Sequence, residues 1–369
     1  MSMQEVFFLR FIVPAIVALA ISYLSTALVI KWGGKLRILD DPKIHAHPKV
    51  VHDRTVPRGG GWPIWLALIF GIILFAPGNI KLWGVAAGAT ILVLTGFLDD
   101  RFSEKVSPYT RLLLNGLAAL CVIGVGVGIA YITSPWGGVI NLSQPQWCFE
   151  YANANHCIWI LADLFALMWL VFMQNIVGWS SGVDGQLSGF VITAAVTMGL
   201  LAMRFGTDIS QTQVLILAGL TAGAYAGFLP WNWWPQKIMP GYGGKSIAGF
   251  LLGTLAILSA AKVGALLLVL GLPVIDAVLV IIKRLKEGRS PVWGGREHLH
   301  HYLLDAKWSK RKIAWFYWGV SVILAIFAWQ LKPPFKLFTM AAIALVVCGA
   351  ILWLKNWSAS LKQPDRDNG

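Results

Sequence analysis

The sequence predicts an all-α integral membrane protein, a polytopic bundle of about eleven transmembrane helices, with ten as the alternative count. Hydrophobic residues make up 57% of the 369-residue chain and charged residues only 13%. Apolar stretches long enough to cross ~30 Å of hydrocarbon, which takes ~20 helical residues, recur along the whole length. We predict spans near residues 6–30, 62–77, 82–98, 111–132, 158–175, 187–204, 213–229, 246–260, 263–282, 313–330 and 337–354. Little chain remains between them, so we predict a single transmembrane domain over 1–369 that ends in a short cytoplasmic tail, 355–369.

Basic residues predict the orientation of this bundle. If the N-terminus lies outside, the segments on the cytoplasmic side hold 24 of the 30 Lys and Arg residues. Because Lys and Arg concentrate in the cytoplasmic segments of membrane proteins, we predict an N-out, C-in topology. The net charge of +13 then suits anionic lipid headgroups and nucleotide phosphates. We find no soluble face for nucleic acid.

Cysteines fall in two kinds of segment. Cys148 and Cys157 lie in the long outer loop 133–157, where a disulfide could persist. The bonded and reduced states are equally open from sequence. Cys121 and Cys348 lie in predicted spans, where a thiol packs as a small apolar group.

The first candidate site is the acidic pair at the end of the third span, in TGFLDDRFSEK. Asp99 and Asp100 meet the negative end of the helix dipole and repel each other, so a cation is needed to offset both. A bound Mg²⁺ would serve. Neutralisation by Arg101 and Lys105 is the equal alternative.

Glycine-rich turns supply the next candidates. Asp184 stands in NIVGWSSGVDGQLSG, where free N–H groups of the following helix could face an anion, or where the aspartate simply caps a tight turn. Asn175 in the same stretch is a ligand-orienting amide or a helix end. In PWNWWPQKIMPGYGGKS, Gly241, Gly243, Gly244 and Lys245 predict a phosphate cradle before a helix.

The last span before a basic loop carries Asp276, either a structural acid paired with Lys283 or Arg284, or a catalytic or metal-positioning acid. The loop GRSPVWGGREHLHHYLL follows, and its Arg289 and three histidines favour a diphosphate over zinc, because the cytoplasmic side offers no cysteine ligand. A solvated basic loop is the alternative. Arg58, beside three glycines, adds charge on the same face. The candidates are Arg58, Asp99, Asp100, Asn175, Asp184, Asn232, Lys237, Tyr242, Lys245, Asp276, Arg289, His298, His300 and His301.

Six motifs in order resemble the bacterial polyprenyl-phosphate N-acetylhexosamine-1-phosphate transferases, the glycosyltransferase family 4 enzymes that include phospho-MurNAc-pentapeptide translocase. The motifs are PRGGG (57–61), LDD (98–100), VDG (183–185), N-x-x-P-x-K (232–237), PVID (273–276) and GRSP with HLHH (288–301). The GRSP and HLHH forms are closer to the glycan-initiating branch, whose enzymes use undecaprenyl phosphate and UDP-N-acetylglucosamine.

The resemblance implies an active site on the cytoplasmic face of a multi-pass protein of the inner (plasma) membrane. It implies transfer of a HexNAc-1-phosphate from a UDP-activated amino sugar to polyprenyl phosphate, with release of UMP and with Mg²⁺ or Mn²⁺. Asp99 or Asp100 would be the base, or the nucleophile of a two-step reaction. Asp184 would contact uridine or the metal, whose implied ligands are Asp99, Asp100 and Asp184. Asn232 would bind the nucleotide, and Arg289 with the histidines the diphosphate. A homodimer is also implied.

Three positions depart from the family pattern. Tyr242 stands where the family places an aspartate that binds Mg²⁺, and a neutral phenol is a poor Mg²⁺ ligand. Gly178 and Ser181 replace an asparagine and an aspartate. Two interpretations follow. The protein is an enzyme whose metal is held by some set of Asp99, Asp100, Asp184 and Asp276 with substrate phosphates, or it is a non-catalytic relative that binds polyprenyl phosphate or nucleotide sugar.

Overall fold

The computed structural model describes residues 2–43, 53–102, 106–134, 138–151, 154–204, 209–259, 263–293, 295–331 and 333–360. Within this part of the chain the fold is a bundle of helices. Helices α1 to α13 are Met3–Leu36, Gly61–Phe75, Ile80–Arg101, Pro108–Ile123, Ile160–Trp179, Gln186–Met203, Ile209–Asn232, Gly241–Leu258, Val263–Val269, Gly271–Lys286, Leu299–Asp305, Lys310–Gln330 and Pro333–Ser360.

Eight helices of the described chain are long and apolar enough to cross a membrane, which supports a polytopic membrane protein: α1, α3, α5, α6, α7, α8, α12 and α13. Helices α9 and α10 form a ninth apolar segment that is bent by 88° at a short break. Helices α2 and α4 are apolar but shorter. The predicted count of eleven depends on these last segments, and both the count and the orientation stay predictions.

Side-chain caps fix the starts of two helices that contribute residues to the eventual site. Asn79 accepts a hydrogen bond from the Leu82 N–H at the start of α3, and Ser107 accepts one from the Thr110 N–H at the start of α4. Both satisfy a backbone donor that the helix itself leaves unpaired. The N-terminal ends of these helices are therefore defined by local sequence.

Small residues let the central helices approach closely. Gly219, Gly223 and Gly227 recur every fourth residue along α7, and a Cβ at each would collide with the backbone of α1. Such small-residue faces are a common basis of helix packing in membranes. The pairing places α1 and α7 together in the core of the bundle, although they are far apart in sequence.

In the described part of the chain, three two-stranded antiparallel sheets accompany the helices, and the all-α prediction did not include them. Two of them lie between α4 and α5, and Cys148 and Cys157 face each other in one of these and form a disulfide. The short strands lacked a run of alternating residues long enough to predict them. Strands β1 to β6 are Leu39–Asp40, Val56–Pro57, Tyr131–Thr133, Val139–Asn141, Gln146–Tyr151 and Ala154–Trp159, paired in that order.

One boundary bears on the site. The eighth span was predicted to begin at residue 246, but α8 already begins at Gly241. Tyr242 and Lys245 therefore lie in the first turns of a helix and not in a loop before it.

Candidate active site

One cavity of about 470 Å³ lies where the predicted motif segments meet. The ends of α3, α5 and α10, the starts of α4 and α8, and the loops after β2 and before α11 form its walls. The charged and imidazole side chains among its described lining are Asp40, Arg58, Asp99, Asp100, Arg111, Lys245, Arg284, His298, His300 and His301.

Asp99 and Asp100 line this cavity in different surroundings. Asp99 is buried and its Oδ1 lies 3.1 Å from Nη1 of Arg111, on the next helix. Asp100 accepts a hydrogen bond of 3.2 Å from the backbone N–H of Tyr242. Arg101 instead lies over the rings of Phe97 and Phe102, and Lys105 falls outside the described residues. Arg111, which the sequence did not single out, is thus the ion-pair partner of Asp99.

Arg58 is held at the cavity by a buried carboxylate. Its Nη2 and Nε lie 2.6 and 3.0 Å from Oδ2 of Asp40, and Asp40 is only 2% exposed. The pairing of β1 with β2 brings the two residues together, since they are 18 positions apart. A hydrogen bond of 2.8 Å from the Met239 N–H to the Pro57 carbonyl joins this segment to the turn before α8.

The turn that opens α8 presents side chains to the cavity. Gly241 has a φ of +64°, and a Cβ there would collide with the Arg58 carbonyl and the Asp100 carboxylate, so only glycine fits. Gly243 and Gly244, predicted to cradle a phosphate, are buried, and Gly243 packs against helix α3. The cavity is lined from this turn by Gly241, Tyr242, Lys245 and Ser246.

Tyr242 is fixed by three neighbours. Its hydroxyl donates a hydrogen bond of 3.0 Å to Oδ1 of Asn115 on α4, and the Arg111 guanidinium lies 5.3 Å from the centre of its ring. Its backbone N–H is the donor to Asp100. The phenol therefore occupies a defined place between α4 and the acidic pair.

Asp276 is fully buried and pairs with neither Lys283 nor Arg284. Its Oδ2 lies 2.9 Å from Nδ1 of His298, and its Oδ1 accepts a hydrogen bond of 2.7 Å from the Leu299 N–H. Because an ionised carboxylate can only accept, it would hold the proton on Nδ1 and leave Nε2 of His298 as an acceptor. Asp276 itself is not among the described residues that line the cavity.

The histidines form a stacked group. The rings of His298 and His300 are nearly parallel, with centres 5.7 Å apart, and His301 lies 4.1 Å from His300. Burial, with the neighbouring His301 and His298, lowers the pKa of His300 well below its ordinary value. His300 is therefore neutral at pH 7. It packs so closely against Gly182 that no side chain fits there, which ties this loop to the turn that carries Asp184.

Arg284 reaches the cavity, whereas Arg289 does not. Arg284 is 4% exposed; its Nε donates to Glu297 at 2.8 Å and its Nη1 to the Pro291 carbonyl at 3.1 Å. Its Nη2 is buried and has no hydrogen-bond partner among the described residues. Arg289 is an exposed residue paired with Glu287 and Glu297. Burial opposes ionisation of Glu297, but Lys283, Arg289 and Arg284 outweigh it and lower its pKa to about 2.

Three predicted residues lie behind or beside the cavity wall. Asp184 accepts a hydrogen bond of 3.2 Å from the Gln236 N–H and lies 3.8 Å from the Lys310 ammonium. Asn232 accepts from the Gly185 N–H at 3.2 Å and donates to the Ile238 carbonyl at 3.1 Å, so it joins two turns. The exposed Lys237 lies over the Trp231 ring. Asn175 does line the cavity, and its amide also donates to the Val171 carbonyl at 2.8 Å.

An apolar groove of about 360 Å³ adjoins the cavity. It shares Asn175, Trp179 and Val292 with the cavity lining, so the two spaces adjoin each other. Side chains of α4, α5 and α10 and of the loop after α10 form it. The groove residues are Leu112, Leu167, Met168, Val171, Phe172, Asn175, Trp179, Ile281, Pro291 and Val292.

Comparison with known proteins gives a consistent result. The model of glycosyl transferase family 4 matches residues 82–260. A probable undecaprenyl-phosphate N-acetylglucosaminyl 1-phosphate transferase of Bacillus subtilis is 25% identical over 88% of this chain and 86% of its own length. A decaprenyl-phosphate N-acetylglucosaminephosphotransferase of Mycolicibacterium smegmatis is 26% identical over 85% of this chain and 77% of its own. A phospho-N-acetylmuramoyl-pentapeptide-transferase of Leptospira biflexa is 28% identical, covering 83% and 86% respectively. The resemblance inferred from the six motifs is confirmed.

Proposed function

We propose that this chain belongs to glycosyl transferase family 4, whose model it matches over residues 82–260, and that it transfers a HexNAc-1-phosphate from a UDP-activated amino sugar to polyprenyl phosphate, releasing UMP. The product starts a lipid-linked cell-surface glycan. The observation that carries the proposal is a cavity where two adjacent carboxylates and four cations meet beside an apolar groove. The transferase names of its relatives support catalysis over the non-catalytic alternative.

In this proposal the acidic pair, Asp99 and Asp100, carries out the proton transfer. Asp99 or Asp100 accepts the proton of the lipid phosphate, one of whose oxygens then bonds to the β-phosphorus of the UDP-sugar. The bond from that phosphorus to its bridging oxygen breaks, and UMP leaves with the bridging oxygen. In the two-step version, a carboxylate oxygen attacks first and the lipid phosphate displaces it. Both versions remain open.

Cationic side chains of the cavity lining neutralise the phosphate charges in this proposal. Two phosphate anions must approach each other, so positive charge has to stabilise the transition state. Arg58, Arg111, Lys245 and Arg284 are the described cations of the lining. We assign the diphosphate contact predicted for Arg289 to Arg284, because Arg284 lines the cavity and its buried Nη2 has no hydrogen-bond partner among the described residues.

The remaining predicted residues act in two ways. His298, His300, His301, Asn175, Tyr242 and Lys245 line the cavity and are proposed to contact the nucleotide sugar. Asp276 is proposed to act through His298, and Asp184 with Asn232 through the turn at 182–185. Lys237 and Arg289 lie outside the lining and are left as positioning residues.

The implied metal ion was tested against these donors. Asp184 does not line the cavity, Asp99 is already paired with Arg111, and Tyr242 donates its phenol proton to Asn115. Among the described residues no group of three or more His, Cys, Asp or Glu side chains could hold a metal ion. The donors therefore do not fit a metal ion bound by the protein alone, although Mg²⁺ chemistry on the substrate phosphates stays compatible with the cavity.

The groove suggests where the lipid lies. An isoprenoid chain needs an apolar path from the membrane to the reacting phosphate, and the groove joins the cavity at Asn175 and Trp179. We place the protein in the inner membrane with the cavity on the cytoplasmic side, where nucleotide sugars are available. The homodimer expected from the resemblance stays a prediction.

A radiolabel transfer assay tests the function. Purified protein in detergent is given labelled UDP-N-acetylglucosamine, undecaprenyl phosphate and Mg²⁺, with and without EDTA. Labelled lipid and released UMP are expected. A folded protein that forms no labelled lipid with any of several UDP-amino sugars would instead support the non-catalytic relative.

A further inference from the structure

The charge of the cavity lining decides in which order a metal ion and a nucleotide can bind. The described lining contains the carboxylates of Asp40, Asp99 and Asp100. Against these three stand four cations, namely Arg58, Arg111, Lys245 and Arg284. The described lining therefore has no surplus of negative charge that would draw in a divalent cation.

The individual carboxylates are also engaged. Arg58 binds Asp40 through two nitrogens, and Arg111 lies 3.1 Å from Asp99. A metal ion at Asp99 would have to displace this guanidinium or lie beside it, and like charges in a partly buried site repel strongly. Among the described residues, Asp100 accepts a hydrogen bond from the Tyr242 N–H, and the positive charges of Arg58 and Lys245 act on it.

Tyr242 closes the remaining position. A carboxylate on this first turn of α8 would lie beside Asp99 and Asp100, but the side chain here is a phenol that donates its proton to Asn115. A protonated phenol brings no negative charge. The turn is thus the place where one substitution decides whether the protein can bind a metal by itself.

We propose that the described residues of this cavity form no resident divalent-metal site and that a metal ion enters only with the diphosphate of the nucleotide sugar. The inference rests on the proposed function for the identity of the diphosphate. Once the diphosphate binds, its negative charges exceed the surplus of the cavity cations, and its oxygens supply the ligands that the protein lacks. The metal ion then binds together with the nucleotide sugar or after it, and not before it.

The test measures metal binding directly and needs no turnover. Free Mn²⁺ is followed by electron paramagnetic resonance during titration of the purified protein in an uncharged detergent, with and without saturating UDP-N-acetylglucosamine. A sample with nucleotide and no protein corrects for Mn²⁺ bound in solution. We expect no stoichiometric uptake by the protein alone and about one Mn²⁺ per chain when the nucleotide sugar is present.

Variants at residue 242 supply the matched comparison. Tyr242→Asp should bind Mn²⁺ without nucleotide, with a Kd at least ~10-fold below that of the wild type, whereas the neutral Tyr242→Asn should not. Gel filtration checks that both variants remain folded. If they are not folded, the Mn²⁺ titration of the wild type with and without nucleotide sugar decides the question by itself.

Three results would overturn parts of this scheme. Stoichiometric Mn²⁺ binding by the nucleotide-free wild type would mean that a resident site exists. Measured nucleotide binding without Mn²⁺ uptake would remove the ordered entry. A failure of UDP-amino sugars to bind at all, by equilibrium dialysis, would reject the proposed function and leave only the statement about the nucleotide-free protein.

Discussion

Asp99 and Asp100 are adjacent in sequence, but the fold gives them different partners. Arg111 pairs with Asp99, whereas Asp100 faces the start of α8. If one of them is the base, Asp→Asn at that position removes the proton acceptor and should lower kcat by ~10²- to 10⁴-fold. Transfer rates of Asp99→Asn and Asp100→Asn check this.

The exposed Asp305, which pairs with Arg296, provides a matched control for these variants. Asp305→Asn removes a surface ion pair and should leave transfer unchanged, since such pairs contribute little. Full activity of Asp99→Asn or of Asp100→Asn would exclude that residue from the chemistry.

Variants of Arg284 and Arg289 test which arginine contacts the diphosphate. The sequence predicts Arg289, whereas the cavity lining favours Arg284. Arg284→Lys keeps the positive charge but removes the planar guanidinium. The variant therefore loses both the Nε donor to Glu297 and the Nη2 donor. Loss of a charged hydrogen bond of ~1.5–3 kcal/mol should lower kcat/KM for the UDP-sugar by ~10-fold or more. Arg289→Lys should change it by less than ~3-fold, because that side chain is exposed. A larger effect at 289 than at 284 would restore the original assignment.

Sequence predicts a site residue when the cause is local. The acidic pair after an apolar run and the histidine cluster can be recognised from a few adjacent letters. Arg111, Asp40 and Arg284 could not be selected, because their roles depend on partners that only the folded chain brings near. The available signal for Arg111 was the acidic pair itself, because an acid at the end of an apolar span needs a cation; the sequence offered Arg101 and Lys105 for this place, whereas the fold supplies Arg111.

At the scale of elements, the stability of the segment that holds α11 depends on pH through His300, which is buried as a neutral imidazole. His300 has a pKa far below its ordinary value of ~6.5, so the unfolded chain binds a proton there at a pH where the native protein does not. Stability from this group is therefore present above pH ~6.5 and is lost as pH falls below it. Glu297, with a pKa of about 2, stays ionised in the native protein over the same window.

Thermal unfolding between pH 7.5 and 5.5 measures this effect. The midpoint of the wild type should fall over that range, and His300→Asn should reduce the dependence. His156→Gln, in strand β6 and outside the histidine cluster, serves as the control and should keep the wild-type slope. An unchanged wild-type midpoint would show that protonation of His300 does not limit stability.

The sequence predicted the long helices but neither the bend between α9 and α10 nor the start of α8. Long apolar helices such as α5 and α7 follow directly from hydrophobic length. The bend between α9 and α10 did not, since its apolar pattern continues through the break at Leu270. The start of α8 was not predicted either. Gly241 and Gly243 suggested a loop, but both lie within a helix whose close packing against α3 favours glycine.

For the whole molecule, composition determined the class of fold and the motif order predicted that distant segments share one face. The structure brings those segments into one cavity, and it adds the apolar groove that no single motif encodes. A groove forms where neighbouring helices leave part of a helix face uncovered. Helix packing determines which faces these are, and the positions of the predicted spans along the sequence do not reveal the packing.

The junction of groove and cavity gives the last prediction. Val171 on α5 lines the groove, so Val171→Trp should fill part of it and obstruct the isoprenoid chain. We expect KM for polyprenyl phosphate to rise ~10-fold or more, with little change in KM for the UDP-sugar, because the added ring lies on the lipid side. Steady-state kinetics with each substrate varied in turn measures both values.

Leu164→Trp is the matched control, since this residue lies on the same helix, is 49% exposed and is not a described groove residue. It should leave both constants near the wild type. Equal increases in both KM values for Val171→Trp would indicate general damage to the cavity. An unchanged KM for the lipid, in a folded variant, would mean that the isoprenoid chain enters by another path and that the groove serves a different purpose.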